Sequence, residues 1–210
     1  MAERFRTDSC GLTTAMRVFI ALDIAEAIRQ RIARYLDGVR EFAPEARWVR
    51  PESTHVTLKF IGEKPADAVE QIKQGLSSIE AAPIEVAFRG CGFFPNPRAA
   101  RVFWVGIEAS PELGSLAAAV EHAMATLGIP PEQHRFTPHL TLARGASGSG
   151  APGWRKGDGR NPGFQRLQEK LAAWAAPEFG TMTAREFFLY QSQLLRGGAL
   201  YAKIARFALR

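Results

Sequence analysis

The sequence HVTL at residues 55–58 recurs as HLTL at residues 139–142. In both copies polar and apolar residues alternate, a pattern typical of a strand with one buried face. Because successive side chains of a strand point to opposite faces, each histidine shares a face with the threonine two positions later. The repeat therefore predicts two facing strands that present two imidazoles and two hydroxyls to one ligand.

Chance is a poor explanation for this repeat. With 4 His and 10 Thr among 210 residues, composition predicts only about 0.2 His-x-Thr matches in the chain. A single copy would fit an ordinary half-exposed histidine on a strand. Two copies of the motif, each flanked by apolar residues in the same phase, indicate that the two histidines act together at one site.

The composition is that of a soluble globular protein, with 46% apolar and 23% charged residues. A chain of 210 residues can bury a core as one domain or as two small lobes. No apolar run approaches the ~20 residues that span a bilayer, and residues 1–15 lack the apolar stretch of a signal peptide. We therefore expect a cytoplasmic protein in which Cys10 and Cys91 are reduced thiols.

The net charge of +6 comes mostly from arginine, which supplies 21 of the 27 basic residues. The guanidinium group binds phosphate through a bidentate fork and stacks on bases, so this bias suits a phosphate-bearing substrate. Genomic composition produces the same bias, and the charge alone favours a nucleic-acid partner only modestly.

Apolar periodicity predicts interleaved strands and helices. Strands are expected at residues 16–24, 54–61, 84–94, 101–108, 139–143, 185–194 and 200–209, and helices at residues 25–42, 65–79, 111–127 and 164–174. Outside the two motifs the halves share little sequence identity, so any duplication is architectural. We expect residues 1–15 to be a disordered leader and the Gly-rich residues 145–163 to be a flexible loop. Residues 16–210 then form a single two-lobed domain.

Two histidines suit phosphodiester hydrolysis. The reaction removes a proton from the attacking water and gives one to the leaving alkoxide, and imidazole performs both steps near neutral pH. Threonine hydroxyls are short donors that suit the non-bridging oxygens of the phosphate. A ribose 2′,3′-cyclic phosphate fits this apparatus, because its ring opening requires only water, a base and an acid.

A metal site is the main chemical alternative. Zinc sites use three or four His, Cys or carboxylate ligands, and neither motif contains an acidic residue. His122 falls in a predicted helix and His134 in a loop, so neither is well placed to complete a ligand set. Serine-hydrolase and P-loop motifs do not occur. We expect no metal and no cofactor.

Five ordered landmarks give the chain a family resemblance from residue 16 to residue 209: RVFIALDI, WVRPESTHVTLKFIGE, FFPNPRAARVFWVGI, RFTPHLTLAR and EFFLYQSQL with GALYAKIARFAL. In these segments the chain resembles the RNA 2′,3′-cyclic phosphodiesterases, also called 2′-5′ RNA ligases, of the two-histidine (2H) phosphoesterases. The resemblance implies a bilobal α+β fold in which two antiparallel sheets flank a central groove, with helices outside and a pseudo-twofold duplication. It also implies metal-independent hydrolysis of 2′,3′-cyclic phosphate to 2′-phosphate, with weak, reversible 2′-5′ ligation.

The same resemblance implies the roles of six residues and the substrates. His55 and His139 fall on the catalytic histidines, Thr57 and Thr141 on phosphate-contacting threonines, Arg144 on a phosphate-binding arginine and Phe60 on a base-stacking aromatic residue. The expected substrates are RNA ends with 2′,3′-cyclic phosphate, such as tRNA halves, or small cyclic nucleotides, and the expected state is a monomer. An RNA-end binding module, or a phosphoesterase acting on another small nucleotide, remains an alternative.

Strict alternation places Phe60 and Arg144 on the opposite face from their histidines. They reach the ligand only if each strand ends or twists near Gly62 and Gly145. The alternatives are core packing for Phe60 and a surface salt bridge for Arg144.

The Gly-rich loop is a further candidate for RNA contact. It carries three basic residues, Arg155, Lys156 and Arg160, and we hypothesise that they contact RNA phosphates. The alternative is a disordered insertion without function.

Overall fold

A computed structural model describes residues 15–145, 162–195 and 198–210. These residues form nine strands and four helices. The strands are β1 Met16–Asp23, β2 Arg47–Trp48, β3 His55–Lys64, β4 Ile84–Phe94, β5 Val102–Ala109, β6 His139–Arg144, β7 Glu178–Ala184, β8 Glu186–Leu195 and β9 Gly198–Ala208. The helices are α1 Glu26–Val39, α2 Ala66–Ser77, α3 Glu112–Thr126 and α4 Gln165–Ala172. None of these helices combines the length and the apolarity needed to cross a bilayer.

The strands form two antiparallel sheets, with orders β3-β1-β8-β9 and β2-β6-β5-β4-β7. This arrangement confirms the predicted α+β fold and its architectural duplication. In the first sheet β1 leads through α1 to β3, which pairs with β1. In the second sheet β5 leads through α3 to β6, which pairs with β5. Each His-x-Thr strand therefore follows a helix and pairs with the strand before that helix, although β6 also pairs with the two-residue strand β2.

Strand β1 is apolar from residue 18 to residue 22 because both of its faces are covered there. Its even-numbered side chains, from position 18 to position 22, join the main core together with the apolar stripe of α1. Phe19 and Ala21 point the other way and form a second, smaller cluster with aromatic side chains of β8. This second cluster lies on the face of the sheet that carries His55, because Phe19 contacts its ring.

Most predicted elements are confirmed, with ends shifted by up to three residues. The expected end of β3 at Gly62 is wrong. The strand continues to Lys64, because Gly62 adopts a φ angle of 87° beside an unpaired Ile61. Strands β2 and β7 are not predicted from the sequence, since β2 has only two residues and β7 is interrupted by Gly180. The predicted leader and most of the predicted flexible loop, residues 1–14 and 146–161, lie outside the described residues.

A β-bulge follows the threonine of each His-x-Thr motif. The pairing of β3 with β1 skips one residue at Leu58, and the pairing of β6 with β5 skips one at Leu142. Such an extra residue reverses the alternation, so the side chains that directly follow it change face. Both strands consequently show two consecutive buried residues and then an exposed one, which is Phe60 in β3 and Arg144 in β6.

Lys59, the residue that follows the first bulge, is buried and ties the two halves together. Its side chain is 1% exposed. Lys59 Nζ donates to both carboxylate oxygens of Glu121 at 2.9 and 2.8 Å and to the carbonyl of Pro130 at 3.0 Å. Glu121 lies on α3, and Pro130 begins the segment that leads to β6. One ammonium group of the first sheet thus anchors the approach to the second His-x-Thr strand.

Substituting Glu121→Ala is expected to destabilise the protein by about 3 kcal/mol, because it leaves the Lys59 charge buried with a single carbonyl partner. The double variant Lys59→Met with Glu121→Ala should recover part of this loss, since no buried charge remains. Urea unfolding at pH 7 measures both variants. A cost below about 1 kcal/mol for Glu121→Ala would contradict a structural role for the ion pair.

Candidate active site

The two motif histidines are held in the same way. His55 Nδ1 donates to the carbonyl of Ser53 at 2.8 Å, and His139 Nδ1 donates to the carbonyl of Thr137 at 2.8 Å. A carbonyl accepts only, so each bond assigns the proton to Nδ1 and leaves a lone pair on Nε2. Neither Nε2 has a hydrogen-bond partner in the described part of the chain. Two Nε2 atoms are therefore available to exchange protons with a ligand.

The two histidines belong to sheets that meet. Strand β3 of the first sheet lies against β6 of the second. The guanidinium of Arg144 interacts electrostatically with both imidazoles. The structure therefore brings His55, His139 and Arg144 together, although they come from different sheets.

Aromatic rings support both imidazoles. The ring centroids of Phe19 and His55 are 4.6 Å apart, and Tyr201 meets His55 edge-on at 5.1 Å. On the other sheet, Phe94 meets His139 edge-on at 4.9 Å. These contacts, together with the Nδ1 hydrogen bonds, restrict the orientation of each ring.

Thr57 and Thr141 lie on the same face as their histidines, as the alternation predicts. Both are partly buried, and neither hydroxyl forms a hydrogen bond with another described residue. Thr141 is paired with Trp104 of β5, which packs over Gly92, where a Cβ atom would lie 2.2 Å from the indole ring. The two hydroxyls thus remain free to donate to a ligand.

Phe60 and Arg144 reach the histidine face because of the bulges. Strict alternation with relief at Gly62 and Gly145 is the wrong explanation, since the change of face occurs before either glycine. The core-packing alternative for Phe60 is also wrong, because its side chain is 54% exposed and stands 5.8 Å from the Phe19 ring. Arg144 is exposed and forms no salt bridge with any acid among the described residues.

Sequence reasoning missed the residue that positions the segment before His55. Arg29 of α1 donates through Nη1 to the carbonyls of Pro51 and Thr54, at 2.7 and 3.4 Å, and through Nη2 to Asp23 Oδ1 at 2.8 Å. These contacts fix the turn that supplies the Ser53 carbonyl. The sequence gives no signal for this role. Arg29 is one of many arginines, and its contacts with the turn before β3 depend on how α1 packs in the folded protein.

Burial depresses the basicity of both imidazoles. It lowers the pKa of His55 to about 4, with Arg144 and Arg29 adding to the effect and the Ser53 hydrogen bond and Asp23 opposing it. Burial also lowers the pKa of His139, with Arg144 adding to the effect and the Thr137 hydrogen bond opposing it. Both groups are therefore neutral at pH 7 in the ligand-free protein and are able to accept a proton.

No group of three or more His, Cys, Asp or Glu side chains within residues 15–145, 162–195 and 198–210 is arranged to hold a metal ion. His122 lies exposed on α3, and His134 lies exposed in the segment before β6. The basic residues of the Gly-rich loop, at positions 155, 156 and 160, lie outside the described residues, so their contact with RNA stays a prediction.

The sequence matches a family model for LigT-like phosphoesterases twice, over residues 22–104 and 105–201. The two matches divide the chain into the halves that carry one His-x-Thr motif each. The chain is 32% identical over 195 residues to an RNA 2′,3′-cyclic phosphodiesterase of Archaeoglobus fulgidus, covering 91% of this chain and 99% of that protein. It is 30% identical over 196 residues to an RNA 2′,3′-cyclic phosphodiesterase of Methanothermobacter thermautotrophicus, covering 92% and 99%.

Solved structures show the same fold. A crystal structure of Escherichia coli LigT in complex with 3′-AMP superposes with a TM-score of 0.73 at 26% identity, covering 93% of this chain and 98% of that one. The structure of TT0787 from Thermus thermophilus superposes with a TM-score of 0.72 at 27% identity, with the same coverage.

The depressed pKa of His55 predicts that the protein loses stability in acid. The unfolded state takes up a proton at this position as the pH falls through about 6.5, whereas the folded state resists it until about pH 4. The stabilisation is complete above pH 6.5 and is lost between pH 6.5 and 4, by an amount on the order of 1–3 kcal/mol.

The variant His55→Asn should show a shallower decrease over this interval. Urea denaturation midpoints measured from pH 7.5 to pH 4 test this expectation, with His122→Asn as the matched control. Parallel curves for His55→Asn and the wild type would show that His55 is not the group responsible.

Proposed function

The chain belongs to the LigT-like phosphoesterase family, and from that membership we propose that it opens terminal 2′,3′-cyclic phosphates of RNA or nucleotides to 2′-phosphates. The observation that best supports this activity is the matched pair of imidazoles, each fixed through Nδ1 and each with a free Nε2. A site that only binds RNA ends requires hydrogen-bond donors, and neutral imidazoles with a free lone pair are acceptors. We propose further that the protein acts as a monomer and uses neither a metal nor a cofactor.

In the proposed reaction, one imidazole accepts a proton at Nε2 from a water molecule as the water oxygen attacks phosphorus. The other imidazole, in its protonated form, gives its proton to O3′ as the P–O3′ bond breaks. The product is the 2′-phosphate. Because both pKa values are depressed in the ligand-free protein, the acid gains its proton when the negative phosphate binds beside it.

The neighbouring groups serve the same phosphate. Thr57 and Thr141 donate hydrogen bonds to the non-bridging oxygens, whose charge increases as phosphorus becomes pentacoordinate. Arg144 adds a positive charge within reach of both imidazoles. Phe60 offers an exposed ring on which a base stacks. An RNA 5′-hydroxyl in place of water would give a 2′-5′ linkage with the same groups.

A direct assay tests the activity. Purified protein is incubated with a nucleoside 2′,3′-cyclic phosphate in the presence of EDTA, and the product is identified by phosphorus NMR. We expect a new 2′-monophosphate signal. Unchanged substrate would favour the RNA-end binding module or another substrate, and turnover that EDTA abolishes would show that a metal takes part.

The variants His55→Asn and His139→Asn should each lower kcat by about 10²–10⁴-fold, because each removes one proton transfer. Asparagine retains an amide donor near the backbone carbonyl, so circular dichroism and RNA binding should remain close to those of the wild type. His122→Asn and His134→Asn are matched controls that should keep full activity. Full activity of either motif variant would refute its assigned role.

The variant Arg144→Gln should raise KM about tenfold, because a charge-assisted hydrogen bond to phosphate is lost. It should also move the acidic limb of the pH profile upward, since the Arg144 charge lowers the pKa of both histidines. Steady-state kinetics from pH 4 to pH 8 measure both effects. A raised KM with an unmoved pH profile would contradict the placement of the guanidinium beside the imidazoles.

A further inference from the structure

A polar cavity of about 320 Å³ opens beside His55. Its walls come from the end of β1, the turn that precedes β3, and the strands β8 and β9. The proposed hydrolysis uses His55 alone among the residues of these walls. The cavity is large enough to hold part of a nucleotide in addition to the reacting phosphate.

The charged side chains of Asp23 and Arg29, which line this cavity, already form hydrogen bonds with protein groups. Asp23 Oδ1 accepts from Arg29 at 2.8 Å and from the backbone N–H of Ile24 at 2.9 Å. Asp23 Oδ2 accepts from Lys203 Nζ. The other donors of Arg29 go to the carbonyls of Pro51, Thr54 and Ile24 and to the carboxylate of Glu26. Asp23 and Arg29 therefore hold the walls in place and have little capacity left for a ligand.

The donors of the cavity that remain available include Lys203 and two tyrosines. Lys203 has three N–H donors, one of which donates to Asp23. Its side chain is 44% exposed, and Nζ lies 4.1 Å from the centroid of the Phe188 ring. The hydroxyls of Tyr190 and Tyr201 form no hydrogen bond with any residue in the described part of the chain. One cation and two hydroxyl donors complement an anion rich in acceptor oxygens, and phosphate is such a group.

One acceptor stands at the same cavity. Glu52 is exposed and forms no ion pair among the described residues. A carboxylate in this place suits a ribose hydroxyl beside the phosphate and repels a second phosphate, so the lining matches a single nucleotide unit.

The position of the cavity identifies which phosphate it holds. Its lining includes His55 and residues 52–54 before it, whereas Phe60 follows His55 along β3, and its ring lies 5.8 Å from that of Phe19, which lies 4.6 Å from that of His55. A reacting cyclic phosphate at His55 would thus lie between the two. A nucleoside 2′,3′-cyclic phosphate carries no other phosphate, but an RNA end carries one on the 5′ side of its terminal nucleoside.

We propose that this cavity is a subsite for the phosphate on the 5′ side of the terminal nucleoside, with Lys203 as the cation that binds it. The inference rests on the proposed function and extends it, because it makes the preferred substrate an RNA end rather than a free cyclic mononucleotide.

The test compares three substrates: adenosine 2′,3′-cyclic phosphate, its 5′-phosphorylated form, and the dinucleotide ApA with a terminal cyclic phosphate. The readout is the ratio of kcat/KM for each phosphate-bearing substrate to kcat/KM for the first. This ratio cancels any effect that a variant exerts through Asp23 and His55 on the chemistry itself. We expect a ratio of about ten in the wild type, decreasing as the salt concentration rises.

Lys203→Gln should bring the ratio close to one, and Tyr201→Phe should lower it in part. Arg206→Gln is the matched control, because Arg206 lies on the same strand, is paired with Glu186 and does not line the cavity. It should leave all three rates unchanged. An unchanged ratio in Lys203→Gln, or a wild-type ratio of one, would refute the subsite.

The two phosphate-bearing substrates separate the possible occupants. A higher kcat/KM for both phosphate-bearing substrates supports a site for the phosphate itself. A higher kcat/KM for the dinucleotide alone would show that the cavity binds the preceding nucleoside, and it would refute the phosphate assignment. Hydrolysis of the simple cyclic nucleotide with no effect of Lys203→Gln would refute only the subsite. Failure to hydrolyse any of the three would refute the proposed function and the subsite with it.

Discussion

The paired bulges are the constraint on which the candidate site depends. A regular strand presents every second residue, so a histidine and the residue five positions later lie on opposite faces. One additional residue after each threonine cancels this opposition, and the strand then presents three candidate site residues in succession on one face. Because the bulge occupies the same place in both motifs, it belongs to the repeated architecture and not to one lobe alone.

The two halves present the same imidazole geometry but secure it differently. The segment before His55 is held from within its own half, by Arg29 of α1. The segment before His139 begins at Pro130, whose carbonyl is bound by Lys59 of the opposite half. A buried ion pair contributes little net stability in general, and its value lies in specifying one arrangement. Here that arrangement is the relative position of β3 and the approach to β6.

Much of the fold follows from the sequence because the signals are local. Apolar periodicity locates the helices and the long strands, and the repeated motif identifies both histidines and both threonines. The bulges are harder to predict. The adjacent apolar pair Leu142-Ala143 indicates the bulge in β6, but the corresponding pair in β3 is Leu58-Lys59, and a lysine is rarely buried. The positioning role of Arg29 and the cavity at Lys203 depend on contacts between distant segments, which no local pattern encodes.

The central place of β1 has a consequence for biosynthesis. Its second neighbour in the sheet, β8, begins only at residue 186, so during synthesis β1 keeps one open edge until this distant segment is available. An apolar strand with an unpaired edge is a template for aggregation, and pairing between such distant segments is slow. A chain that ends before residue 186 would contain both His-x-Thr strands yet leave one edge of β1 unpaired.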